Sequence, residues 1–462
     1  MKSLLWVWVL LLVMPLMAFG QDRDIRERIE EERRQSFEEF HQLQNVLDEG
    51  FFWDYGGWIR CSLFNYDDGT NVDRTLRDFD LRSYYDFRYD TIHRLYIRTK
   101  SQYTDYNTGD ASDGNDNDLN GPKLDQGWYR LDLDQLLDKT GGWQGAIIVG
   151  RQFLMLGDGF IFNMTNDGIS FDFKNSMVGL QASVSKTIRS GSDFDQSRPK
   201  AEDSKRSFFS GQFSWLGFDK HRPFAYVLIQ RDNNNGDDWT PLQDYDYNSQ
   251  HYGFGMGGEI IRNLRYHFEY AAQRGDSTAN GSTRSEDIRA WGFEGKLDYT
   301  WSDLWWQPRV NTAYLTGSGD RDRRSITNTV FGNQLGTTDR NFIEFGYTDT
   351  GLSLAPRTAN MHIFNVGGVA KPLSKWDYFK DFEIGTQLFF YRKRIGDSVM
   401  SDGFATRQDK EVGWEWDVYS NWRIFSDLSM SAQYGLFQPG DAYPNSNDNS
   451  RHFFAMSFTF TY

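Results

Sequence analysis

From residue 51 to the C-terminus the chain alternates polar and apolar residues with a period of two, and this restricts the fold more than any other feature. In Leu76 to Tyr89, Asp78, Asp80, Arg82, Tyr84, Asp86 and Arg88 fall on one face, while Phe79, Leu81, Ser83, Tyr85, Phe87 and Tyr89 fall on the other. Strand geometry separates these two sets and helical spacing would mix them. Arg94, Tyr96, Arg98 and Lys100 alternate in the same way with Leu95, Ile97 and Thr99, and Glu415, Asp417, Asn421 and Arg423 with Trp414, Trp416, Val418 and Trp422. One face of each segment is apolar and aromatic. The other carries charges that a dry core would not tolerate unpaired.

About eighteen such segments can be counted, beginning near Trp53, Arg74, Ile92, Gln126, Trp143, Asp167, Met177, Arg206, Arg222, Ser249, Asn263, Asp287, Trp305, Ala359, Asp381, Lys410, Asp427 and Arg451. Shared evenly, the chain beyond residue 50 gives about 23 residues to each strand and its connection, against the roughly 9–11 that a tilted membrane strand needs. The connections alternate in length. Short links fall at Asp90-Thr91, Lys139 to Gly142, Lys174 to Ser176, Asp219 to Arg222, Arg262-Asn263, Ser302 to Leu304, Leu373 to Lys380 and Phe425 to Asp427. Long stretches rich in Asp, Asn and Gly lie between them, at 107–124, 153–166, 190–204, 232–248, 275–286, 317–358, 396–409 and 440–450. A membrane barrel places short turns at one rim and long loops at the other, whereas a soluble sandwich has no reason to. The final segment, Arg451 to Tyr462, sets Phe454, Met456, Phe458, Phe460 and Tyr462 on one face and ends on an aromatic. An apolar last strand must pair with the first so that no open edge meets lipid. The predicted class is therefore an all-β, transmembrane, antiparallel up-and-down barrel of about eighteen strands.

Composition agrees. Aromatics make up 17% of the residues, and mean hydropathy is −0.67. That value excludes a bundle of membrane helices but not a barrel, whose strands expose every second side chain to water. A single cysteine, Cys61, excludes an intramolecular disulfide framework and a Cys-cluster metal site. The net charge of −15 argues against a nucleic-acid partner. Residues 1–20 read as a secretory signal: Lys2, an apolar run from Leu4 to Met17, then Ala18-Phe19-Gly20. Residues 21–50 are dense in Arg and Glu, with Ile25, Ile29, Phe37, Phe40, Leu43, Val46 and Leu47 at three- and four-residue steps, the pattern of an amphipathic periplasmic helix. A spacer is the simplest role for it; a pore plug and a coiled-coil contact are the alternatives. The barrel then spans 51–462, and the expected location is the outer membrane of a Gram-negative-type bacterium, among its lipids.

A barrel this wide leaves an aqueous channel, which makes transport the expected function. The expected lumen cations are Arg60, Arg82, Arg88, Arg94, Arg98, Lys100, Arg130, Arg206, Arg265, Lys296, Arg309, Lys393 and Arg423, seven of them on the first four strands. They could form a basic stripe for an anionic solute, or they could pair with lumen carboxylates across strands and keep the pore wet. No enzyme is expected: there are seven histidines, no two at metal-ligand spacing.

At Val149-Gly150-Arg151-Gln152, with Gly157-Asp158 following and Asn166-Asp167-Gly168-Ile169 opening the next strand, the chain resembles the alginate export family of outer-membrane porins. The C-terminal aromatic strand likewise resembles the signal that such barrels present to their assembly machinery. The family resemblance implies an eighteen-stranded monomeric barrel that lets an acidic polysaccharide leave the periplasm, and it makes Arg151 a candidate lumen or loop contact. One departure stands out: where the family pattern places a basic residue soon after the Gly-Asp pair, this chain has Gly159-Phe160-Ile161-Phe162. The expected substrate contacts are thus Arg60, Arg82, Arg88, Arg94, Arg98, Lys100, Arg130, Arg151 and Arg265. The alternatives are a general-diffusion porin and a non-conducting surface barrel, which conductance in a lipid bilayer would separate. Finally, Asp116-Asn117-Asp118-Leu119-Asn120-Gly121 matches the first half of a calcium loop, making Asp116, Asp118 and Asn120 candidate Ca2+ ligands in an external loop, although Gly127 stands where a bidentate Glu belongs.

Overall fold

A computed structural model describes residues 50–462 apart from 68, 71, 112–116, 138–141, 190 and 235–241. The signal segment and the helix expected before residue 50 lie outside the described residues. The described residues form nineteen strands: β1 (Phe51–Asp67), β2 (Asp73–Tyr89), β3 (His93–Tyr106), β4 (Asp118–Asp132), β5 (Gln144–Leu156), β6 (Phe162–Lys174), β7 (Val178–Lys186), β8 (Arg206–Trp215), β9 (His221–Asp232), β10 (Tyr247–Ile261), β11 (Leu264–Thr278), β12 (Ser285–Thr300), β13 (Arg309–Gly317), β14 (Phe345–Gly346), β15 (Met361–Ala370), β16 (Glu383–Lys393), β17 (Glu411–Arg423), β18 (Leu428–Pro439) and β19 (Arg451–Thr461). All but β14 follow one another in a single antiparallel sheet. The sheet closes where β1 pairs with β19, from Trp58↔Thr461 to Tyr66↔Phe453. Eighteen strands thus form the wall, and β14 is a two-residue segment inside it that pairs in parallel with β6.

Closure removes every edge, which lipid requires because it offers no hydrogen-bond partners. The C-terminal residue takes part: Gly57 N–H donates to the Tyr462 carbonyl at 3.1 Å, and Tyr462 N–H donates to the Gly57 carbonyl at 3.0 Å. Both ends of the described chain therefore share the rim of short turns, the periplasmic rim.

The faces separate as the period of two requires. Phe79, Leu81, Leu95, Phe254, Phe390, Trp414, Trp416, Phe458 and Phe460 are exposed on the outer surface, while Asp80, Arg82, Arg98, Glu269 and Glu415 are buried on the inner one. Leu81 lies midway along β2, so Leu81→Arg is expected to cost roughly 2–4 kcal/mol. Denaturant unfolding from lipid vesicles would read this, and an unshifted midpoint would show that the position does not meet lipid.

Four connections differ from expectation. The β5–β6 connection covers only 157–161, because the ladder continues to Leu156↔Phe162. The β11–β12 connection shortens to 279–284, because pairing reaches Thr278↔Ser285. The first external connection, 68–72, is short. The longest, 318–360, does not stand out into solvent: Phe342, Ile343 and Phe345 within it are almost wholly buried.

Candidate functional site in the barrel lumen

The inner wall of β1–β4 carries a stack of arginines, because every second residue of these strands must point inward. Arg82 Nε lies 2.9 Å from Asp80, and its Nη1 lies 3.1 Å from Asp125. Arg98 binds the same Asp125 carboxylate, and Lys100 Nζ stands 3.9 Å from Asp80. Both guanidinium groups lie against the ring of Trp58, at 5.6 and 5.5 Å. Arg82, Arg98 and Lys100 are buried, so a solute cannot reach them while this cluster holds.

Nearer the periplasmic rim the pattern repeats with more water. Arg88 and Arg94 share Asp86 at 2.7 and 2.9 Å, and Arg130 pairs with Asp132 at 2.6 Å. The side chains of Arg88, Arg94 and Arg130 keep 23%, 29% and 37% of their surface exposed. Aromatic rings lie among them. Arg94 stands over Trp128 at 5.3 Å and Arg88 over Phe52 at 5.9 Å, while Tyr96 stacks between Tyr84 and Trp128. Half-buried guanidinium groups alternating with rings can bind carboxylates and the apolar faces of sugars together.

Two connections fold into the lumen. In the β5–β6 turn, Gly157 N–H donates to Gln212 Oε1 at 2.7 Å and Asp158 N–H to Glu269 Oε2 at 3.0 Å. Gly157 has a φ of +60°, and a Cβ there would come within 2.4 Å of Glu269, so only glycine lets the turn seat. The Asp158 carboxylate then meets Lys296 Nζ at 3.0 Å, and Lys296 also reaches Glu294 at 3.0 Å. Asp158, His267 and Glu294 converge closely enough to hold a cation, and Lys296 already supplies a positive charge at that point.

The 318–360 connection crosses the whole lumen. On one side the Ile343 N–H donates to Gln273 Oε1 at 3.0 Å, and the Ile343 carbonyl accepts from His251 Nε2 at 2.9 Å. Phe345 N–H donates to the Ile161 carbonyl at 2.8 Å. Gly346, with a φ of +121°, lies so close to Asn163 that a Cβ would overlap its side chain. Asn163 in turn exchanges hydrogen bonds with the Tyr347 backbone at 2.7 and 2.6 Å. On the far side Leu352 N–H donates to Asp417 at 3.1 Å, and Ser353 and Leu354 N–H donate to Glu415. Leu352 packs against Phe64, Leu76, Tyr106 and Phe453 of β1, β2, β3 and β19. The apolar run Phe160-Ile161-Phe162 acquires a reason here: it is the buried seat of this loop, with Phe160 stacked on Phe342 at 5.8 Å.

Buried ion pairs brace the external loops as well. Arg206 holds Asp193 at 2.8 Å and Asp232 at 2.9 Å, and Arg198 holds Asp193 at 2.8 Å. Burial alone would raise the Asp193 carboxyl, but the two arginines outweigh it and hold it below the usual carboxylate range. Arg323, within the crossing loop, pairs with Asp339 at 2.9 Å and donates to the Ile326 carbonyl.

Of the expected contacts, Arg60, Arg82, Arg88, Arg94, Arg98, Lys100, Arg130 and Arg265 lie on the inner face. Arg60 donates to Thr459 Oγ1 at 3.0 Å, and exposed Arg265 stands between Glu259 and Asp298 in the ladders. Arg206, Lys296 and Lys393 are braces: Lys393 Nζ, for example, donates to the Ala405 and Arg407 carbonyls. Arg151 stands elsewhere. Gln152 and Gly150 face inward, so Arg151 shares the outer face with Val149 and pairs there with Asp167 at 2.8 Å. Asp118 and Asn120 lie in the β4 ladder opposite Thr104 and Gln102, not in a wrapped loop, and Asp116 falls outside the described residues. The residue that sequence alone missed is Asp125. It sits at a bulge, where Arg98↔Gln126 is followed by Thr99↔Leu124 and strict alternation breaks. Two consecutive polar residues, Asp125-Gln126, were its only signal.

A closed wall with an aromatic outer face and a charged, partly filled lumen defines an outer-membrane β-barrel channel. Solved structures support that class at the level of fold. OccK11 (OpdR) of Pseudomonas aeruginosa is 12% identical with a TM-score of 0.54, covering 90% of this chain and 98% of its own. OccK5 (OpdH) is 11% identical with a TM-score of 0.56, covering 88% and 97%. The outer membrane protein OprD of the same organism is 11% identical with a TM-score of 0.53, covering 89% and 94%. No curated protein sequence matches. The sequence profile of the alginate export family matches residues 64–457, nearly the whole barrel. The chain belongs to the alginate export family and is located in the Gram-negative outer membrane.

Proposed function

We propose that the protein is a passive channel for anionic solutes, with an acidic oligo- or polysaccharide such as alginate as its cargo. The observation that carries this reading is the periplasmic half of the β2–β4 wall. There Arg88, Arg94 and Arg130 keep part of their guanidinium surface in water, beside Tyr84 and Trp128. Each arginine already has a carboxylate neighbour, so a passing uronate would exchange contacts without being trapped. The membership of the alginate export family supports the same cargo. The aromatic C-terminal strand supports delivery of the chain by barrel-assembly machinery.

Single-channel recording in a planar bilayer under a salt gradient tests the proposal. The wild type should prefer anions. Replacing Arg88, Arg94 and Arg130 by Gln together should lower the anion-to-cation permeability ratio by roughly threefold, and oligoalginate should block the wild type more than the triple variant. The charge-balanced lumen favours one rival, a general-diffusion porin. Cation preference in the wild type, or a ratio unmoved by the three substitutions, would establish that rival.

A further inference from the structure

The outer face carries a charged row that lumen transport does not use. Across five adjacent strands the ladders align Arg151↔Asp167, Asp167↔Lys186, Lys186↔Ser207 and Ser207↔Arg231. All five side chains share the outward parity of Val149, Ile169, Val184, Phe209 and Ile229 one step toward the periplasm, of which the first four are strongly exposed. Lys186 ends β7 and Arg231 is the penultimate residue of β9, so the row lies at the external edge of the lipid-facing band. Among the described residues its one ion pair is Arg151–Asp167, at 2.8 Å. Lys186 and Arg231 are exposed, and neither has a carboxylate within 4.0 Å among the described residues. Among the described residues the row thus keeps two positive charges outside any ion pair. Other charged pairs on the outer rim cancel, as Arg77 does with Asp105 at 3.2 Å and Arg289 with Asp287 at 3.0 Å. Between the two free cations stands Ser207, whose Oγ accepts from Asn233 at 2.6 Å, so its own hydroxyl proton can be donated.

Below this row, on the same strands, lies an apolar groove of about 620 Å³. Ala182, Gly211 and Ala225 form its floor, and Phe173, Leu180 and Phe213 flank it. From Ala182 to Lys186 is four strand residues, about 13 Å, which one lipid molecule spans between its head and the middle of its chain.

We propose that this face is a specific site for a phosphate-bearing lipid of the external leaflet. The head-group phosphate would be held by Lys186, Ser207 and Arg231, and one acyl chain would lie in the groove over Gly211. A phosphate is the natural complement of two cations and a hydroxyl donor, and low-dielectric surroundings strengthen such contacts. The apolar groove immediately beneath singles out a lipid over a free anion.

Native mass spectrometry of the full-length mature protein, titrated in neutral detergent with diphosphorylated lipid A, provides the test, with phosphatidylcholine and inorganic phosphate as comparison probes. Lys186→Gln with Arg231→Gln removes the head contacts. Gly211→Leu fills the groove, and a Cβ at Gly211 meets nothing within 4 Å, so the wall tolerates it. Heat-modifiable migration on gels reports whether each variant is a closed barrel, and Lys200→Gln on the β7–β8 loop is the control. The wild type and the control should retain one lipid A, and each site variant should retain it about tenfold less. Equal retention of phosphatidylcholine by the wild type, or wild-type retention by either site variant, would overturn the proposal. Displacement of lipid A by millimolar inorganic phosphate would overturn it too, in favour of a free-anion site.

Discussion

Replacing residues 321–357 by a short Gly-Ser linker is expected to raise single-channel conductance by roughly threefold or more. The deleted segment is the one that crosses the lumen, from Ile343 against β10 and β11 to Leu352 against β1, β2, β3 and β19. With it in place the external half of the pore is lined by buried side chains. Without it the eighteen-strand wall encloses open water. A milder variant separates movement of the loop from its absence. Glu415→Ala with Asp417→Ala removes the acceptors for the Leu352, Ser353 and Leu354 N–H groups. Each donor left unpaired costs roughly 1–3 kcal/mol, so the tip should leave its seat for part of the time. The expected record is an unchanged main level with frequent larger openings. If the linker variant conducts as the wild type does, the loop is not the element that narrows the pore, and passage follows another path along the wall. The loop's hold on conductance and the charge selectivity of the wall are separate properties: the two loop variants read the first, and the triple arginine variant reads the second.

The wall was legible in the sequence because a barrel strand is written residue by residue. Phe79, Leu81 and Tyr85 must face lipid, Asp80 and Arg82 must not, and a slip of one residue would invert all of them. Strand number followed from the same alternation, and the shared rim of the termini from alternating connection lengths. The loop that fills the lumen was not legible. Its stretch from Ser318 to Asn360 has no period, and its Asp, Asn and Gly content resembles that of a solvated loop. Nothing local indicates that Phe342 and Phe345 will be buried against Phe160 and Phe208, since those contacts join residues far apart in the chain. Yet a trace existed: Phe160-Ile161-Phe162 is an apolar run at the very place where an external turn should be polar, and the fold needs it there. Arg151 illustrates the opposite error. A resemblance can place a residue in a motif, but the side of the wall is fixed by parity with Val149 and Phe153, and parity puts Arg151 outside. The arginine wall was half legible. Its cations could be named, but their partners depend on register, and Asp125 depends on a bulge that breaks the alternation.

That bulged carboxylate should be the most costly single side chain to lose. Asp125 is shared by Arg82 and Arg98 and lies near Lys100, and Asp80 is a second carboxylate on Arg82. Without Asp125, two buried guanidinium groups lose the carboxylate they share. Breaking a buried pair from one side leaves an uncompensated charge and costs roughly 3–5 kcal/mol, so Asp125→Ala should lower the unfolding midpoint in lipid vesicles by that equivalent. Arg98→Gln in the same background should restore part of the loss, because it removes one of the charges left unpaired. A double-mutant cycle on Arg98 and Asp125 should therefore give a coupling of roughly 1–3 kcal/mol. The same substitution should alter conduction in a predictable direction: Arg82 and Arg98, released from their carboxylate, would turn toward the lumen water and strengthen anion preference in whatever fraction remains folded. An Asp125→Ala barrel as stable as the wild type, with a coupling near zero, would mean that the remaining contacts, Trp58 among them, hold the two guanidinium groups, and that the bulge in β4 serves the strand rather than the charge cluster.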